Sequence, residues 1–157
     1  MITTDNDEGV LFLISRLYLG AIARYLGRTE TVRHKDSVVK LALETVCNIY
    51  LVCVIKRVDR DLAFRLCSND DLLTSLCALV QEHIPLRQMW AMRTIGHMMT
   101  LAKRFGFFHD VSHRCEEHGM WDKVNELYNY SPDEEMTGVA KSLLEFQDKT
   151  MDYEDRY

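Results

Sequence analysis

Proline is nearly absent: Pro85 and Pro132 are the only two in 157 residues, and seven glycines complete the stock of chain-breakers. A sandwich or barrel of short strands needs many tight turns, so this scarcity favours long helices. Paired cysteine motifs are missing as well. The five cysteines, Cys47, Cys53, Cys67, Cys77 and Cys115, form no CxxC and are odd in number. Each lies in or beside an apolar helical pattern, which predicts buried free thiols in a reducing compartment rather than a disulfide framework. Positive charge is in deficit, with 19 Lys and Arg against 24 Asp and Glu and a net charge of −5. That balance does not supply the concentrated basic surface of a general nucleic-acid binder.

Catalytic signatures are wanting too. There is no HExxH, GxSxG, phosphate-cradling glycine loop or dinucleotide fingerprint. His109, His113, Cys115 and His118 lie close in sequence, but only the first two share a helical face at metal-ligand spacing. The acidic pairs Asp70/Asp71 and Glu116/Glu117 suit helix starts and need no acid–base role. The expectation is no enzyme, no metal and no cofactor. Uninterrupted apolar runs are short: Gly9 to Leu26 approaches a membrane span in length, but Arg16 and Arg24 break it, and the preceding "MITTDNDE" is acidic. A buried helix, no membrane partner and a cytoplasmic or nuclear location follow.

What remains is 47% hydrophobic and 27% charged, the composition of a soluble globular chain. One helical domain over residues 1–150 is expected, with "MDYEDRY" at 151–157 a fraying tail. Helices are predicted over Glu8 to Leu26 (closed by Gly27), Ser37 to Ile55, "RDLAFRLC", Asp70 to His83, and from Pro85 onward. "FFHDVSHRCEEHG", "MWDKVNELYNY" and "SPDEEMTGVAKSLLEFQDK" repeat the short, middle and long order. In the last of these, Ser131, Pro132 and Glu134 spell a capping box with proline at the first helical position.

The order repeats in register. Asn48, His97 and Glu145 are 49 and 48 residues apart, and Cys67 and Cys115 are 48 apart. Leu72, Leu73, Leu76 and Leu79 fall opposite Met120, Trp121, Val124 and Leu127. Several anchors held over three helices indicate an internal repeat rather than a chance match of amphipathic helices.

A short, a middle and a long helix per unit resemble armadillo repeats, within the wider group of armadillo and HEAT solenoids. "EEHGMWDKVNELY" resembles the armadillo turn in which glycine joins the first helix to the second. "LETVCNIYL" resembles the family's third helix, with Asn48 at its often-polar position. The likeness covers about one and a half clear repeats and, more weakly, the whole chain. It departs in its 48–49 residue spacing against roughly 40–47, in His97 and Glu145 for asparagine, and in the missing first helix of the N-terminal copy. Glu44, Arg93 and Lys141 stand where importin-like members carry tryptophan, so the basic-peptide ladder is absent. The resemblance implies an all-α, right-handed armadillo-like solenoid of about three short repeats, with third helices lining a partner-binding surface.

On those helices residues four apart share a face. This groups Lys40, Glu44 and Asn48, then Met89, Arg93 and His97, then Thr137, Lys141 and Glu145 as candidates for binding a protein or peptide partner. Trp90 and Trp121, and Met89, Met92, Met98 and Met99, also fit core filling. The alternative is a homodimer or larger assembly formed through the apolar N-terminal helix, with Leu13 and Leu17 in the contact.

Overall fold

The computed structural model describes residues 19–27 and 36–155. Among these residues the chain is helical throughout and has no strand. The helices are α1 (Leu19–Gly27), α2 (Asp36–Ile55), α3 (Arg60–Cys67), α4 (Asp70–Gln81), α5 (Pro85–Phe105), α6 (Phe108–Glu117), α7 (Met120–Tyr130) and α8 (Glu134–Asp155). The all-α expectation holds. The last helix carries on to Asp155, into the segment expected to fray.

Local chemistry sets the helix ends. The side chains of Asp59 and Asn69 accept from the amides of Leu62 and Leu72, satisfying donors orphaned at the starts of α3 and α4. Pro85 opens α5, where its missing N–H costs nothing. Gly106 closes that helix at φ 83°, a left-handed conformation open to glycine without strain. The start of α8 differs from the expected capping box. Asp133 caps it, its carboxylate accepting from Glu135 N at 2.9 Å and Met136 N at 3.4 Å, while Ser131 Oγ accepts only from Asp133 N. An ionised carboxylate makes the stronger cap, so it displaces the hydroxyl and leaves Pro132 just outside the helix.

Side-chain packing orders the helices into two rows. In one, α5 packs between α2 and α8; in the other, α4 packs between α1 and α7. Between the rows, α1 packs on α2, α4 on α5 and α7 on α8, while α3 and α6 also lie against α5. The core is one continuous cluster across both rows. Val39, Leu43 and Val46 of α2, Gln88, Met92 and Ile95 of α5, and Met136, Ala140 and Leu143 of α8 are all buried. These triplets recur at the 49- and 48-residue offsets read from the sequence. Met98 and Met99 are fully enclosed and Trp121 is buried, its indole N–H donating to Ser112 O at 3.2 Å. Trp90 is only half-buried.

Polar ties join the helices where carbonyls would otherwise be orphaned. Buried Tyr50 donates its hydroxyl to Leu66 O at 2.6 Å, at the end of α3. Arg104 on α5 donates to Val54 O at 2.5 Å and Cys53 O at 3.5 Å, closing the end of α2. Arg114 on α6 does the same for Cys67 O while pairing with Asp70. Helix C-termini favour cations there.

Candidate functional site

A groove of about 640 Å³ lies between α5 and α8. Met92, Val139, Leu143 and Phe146 make it apolar; Arg93, His97, Thr100, Glu135 and Ser142 supply its polar groups. Glycines hold it open. A methyl group added at Gly138 would meet no atom within 4 Å, and one at Gly96 would only touch Leu143 Cδ1 at 3.7 Å. Both sit inside helices, where glycine is poorly favoured, so its gain there is space. Gly96 and Thr100 on α5 face Gly138 and Ser142 on α8, two pairs of small residues four apart along adjoining helices.

The polar edge of the groove is ordered. Arg93 Nη2 donates to Glu135 Oε1 at 2.8 Å across the two helices, and its guanidinium lies 5.1 Å from the Trp90 ring centroid. Arg93 is thereby held in one place, paired on one edge and stacked on one face. One turn on, His97 is half-buried. Burial lowers its pKa below the ordinary histidine value, and the neighbouring Arg93 charge lowers it further. At neutral pH the imidazole is therefore uncharged and can both donate and accept. Thr100 Oγ1 donates to Gly96 O at 2.9 Å and keeps lone pairs for a ligand. The groove can seat an apolar side chain and hold an adjacent polar backbone or carboxylate at its Arg93–His97 edge.

The residues singled out by spacing are divided among several surfaces. Arg93 and His97 line the groove. Met89 beside them is buried, which places it in the core. Lys141 and Glu145 point to another hollow, of about 380 Å³, bounded by Asn125 and Tyr128 of α7, and pair with each other at 3.9 Å. Lys40 pairs with Glu44 at 3.6 Å and borders a small recess with Ile84, Leu86 and Arg87. Asn48 is exposed on α2. A single stripe of residues four apart thus does not run unbroken from α2 through α5 to α8, because α8 turns Glu135, Val139 and Phe146 toward α5 rather than Lys141. The signal that marks the groove in the sequence is the small-residue pairing Gly96/Thr100 and Gly138/Ser142. Leu13 and Leu17 lie outside the described residues.

The histidine and cysteine cluster spreads apart. His113 faces Glu117 at 3.5 Å, His118 Nε2 lies 3.3 Å from Thr74 Oγ1, and Cys115 is enclosed beside Cys77. All five thiols are free and buried. Burial raises Cys53 to about 11 and Cys67 to about 12. The Cys115 thiol is pushed up by its hydrogen bond with Cys77 and then by burial. Such thiols are poor nucleophiles.

Compared with protein-family models, curated proteins and solved structures, the chain matches none.

Proposed function

We propose that this protein is a non-catalytic interaction module, an armadillo-like right-handed solenoid of about three short repeats that binds a segment of a partner protein. The observation that carries the reading is the groove between α5 and α8, kept open by Gly96 and Gly138 and edged by Arg93 and His97. The solenoid reading draws support from the twice-repeated order of short, middle and long helices. It draws further support from the rows α2–α5–α8 and α1–α4–α7 and from the recurrence of buried triplets at 49 and 48 residues. Stacked helical units of this kind present extended surfaces to peptides. The buried free thiols accord with a reducing cytoplasmic or nuclear setting.

The ligand is a peptide with one apolar anchor side chain seated on Val139, Leu143 and Phe146. A hydrogen-bonding or acidic group lies next to that anchor, against Arg93 and His97. Selection from a random peptide display library, followed by titration of the selected peptides, tests this. Peptides of that composition are expected to lose at least about tenfold in affinity, about 1.4 kcal/mol, toward Gly138→Leu and Arg93→Ala proteins. Selected peptides that bind both variants as well as the parent would place binding elsewhere.

A further inference from the structure

Helix α2 carries a second stripe, on the side away from α5. Val38, Leu41, Thr45, Asn48, Val52 and Ile55 follow one another at alternating intervals of three and four residues. Five of them are exposed and Thr45 is partly so; Leu41 stands 63% open and Ile55 74%. The opposite face holds Val39, Leu43, Val46, Tyr50 and Cys53 in the core. Alternation of three and four is the spacing of a coiled-coil seam, and a lone core-packed helix has no use for a second one. By length and composition Ser37–Ile55 could cross a membrane, yet its inner face is committed to α5 and its outer stripe has two polar residues at its centre.

The order of residues along the stripe reads the same from both ends: apolar, apolar, polar, polar, apolar, apolar. Such a pattern complements itself when two copies lie antiparallel about a two-fold axis. Val38 then faces Ile55 of the other copy, Leu41 faces Val52, and Thr45 faces Asn48, each contact occurring twice. No charge lies in the stripe, so no like charges are opposed. Thr45 Oγ1 already donates to Leu41 O at 2.7 Å, which leaves its oxygen free to accept from the Asn48 amide of the second copy. Shifting the antiparallel pairing by one step sets either Asn48 against Leu41 or Thr45 against Val52, and so leaves a polar residue opposite an apolar one. Polar residues in a seam fix register in this way.

We infer that the protein forms a homodimer through an antiparallel α2–α2 contact with Leu41 facing Val52 and Thr45 facing Asn48. The contact lies at the α2 edge of the row α2–α5–α8, so the α5–α8 groove stays open in each copy. Dimerisation and groove binding are therefore independent, and failure of one leaves the other standing.

The test uses the full chain and two single variants, Leu41→Lys and Val52→Glu. Each places a charge against an apolar residue of the other copy; both sites are exposed, so helical content by circular dichroism should match the parent. The parent is expected to rise from 18.4 kDa toward twice that mass as concentration increases in sedimentation equilibrium, and each variant to dissociate at least about tenfold more readily. Mixing the two variants restores the dimer, because the introduced lysine of one copy then meets the introduced glutamate of the other, while the unaltered Leu41 and Val52 meet as before. Native mass spectrometry would detect that mixed species specifically. Absence of the mixed dimer overturns the register. A parent that stays at 18.4 kDa throughout the micromolar range, or a dimer indifferent to both changes, overturns the contact itself. Flotation of a monomeric parent with lipid vesicles would assign the stripe to a membrane surface and overturn it equally.

Discussion

Replacing Gly138 with alanine separates two demands placed on α8. Gly138 is exposed, lies one full turn inside the helix and has no positive φ. The added methyl meets no atom within 4 Å, so it brings neither clash nor packing. What remains is backbone entropy. Alanine restricts the unfolded chain more than glycine does, and in exposed helix interiors the exchange is worth about 0.5–1 kcal/mol. For a domain of this size such a gain raises Tm by roughly 2–4 °C per kcal/mol. Urea unfolding followed by far-ultraviolet circular dichroism should show a higher midpoint with an unchanged slope. Gly96→Ala should stabilise similarly, since its methyl would make only ordinary contact with Leu143. A lower midpoint for Gly138→Ala would show that the space above Gly138 is filled in solution, and the groove as described would not exist. A gain in stability means glycine is held there for something other than stability, which is what an open groove requires.

Tyr50→Phe should cost about 1–3 kcal/mol in urea unfolding, because Leu66 O is buried at the end of α3 and loses its donor. Arg114→Met keeps the aliphatic stem but removes the donors to Cys67 O and Asp70; a loss of about 1–2 kcal/mol is expected, and no change in midpoint would refute the capping role. His97 gives a pH signature. Its folded pKa lies below the ordinary value near 6.5, so the unfolded chain binds the proton more readily and stability must fall as pH drops below about 6.5. His97→Gln should flatten that part of the stability profile; an identical slope in both proteins would remove His97 as its source.

Much of the helix plan was legible because its signals are local. Pro85 at the head of α5 is read from proline chemistry without tertiary information. Burial at the 48- and 49-residue offsets was legible for a related reason: it follows the apolar pattern. The sequence sets the start of α8 two residues early, at Ser131, because Ser131 and Asp133 both fit a cap and only the folded chain shows which of them reaches the amides. The site was half legible. Arg93 and His97 were grouped by helical spacing, which is a property of one helix. Whether Lys141 or Val139 faces them depends on the rotation of α8 about its own axis, set by Met136, Ala140 and Leu143 against the core. Spacing fixes which residues share a face, and packing decides where that face points.

The five enclosed thiols make the protein a record of its own breathing. They are spread along the chain, with Cys47 and Cys53 on α2, Cys67 closing α3, Cys77 on α4 and Cys115 on α6. Because each is shielded and most are held well above the ordinary thiol range, an alkylating reagent acts only on molecules in which that helix has swung away from its neighbours. The order in which the five sites acquire label therefore ranks the helices by how often they open. If the α2 edge binds a second copy, Cys47 and Cys53 will label more slowly as protein concentration rises, while Cys115, away from that edge on α6, keeps its pace.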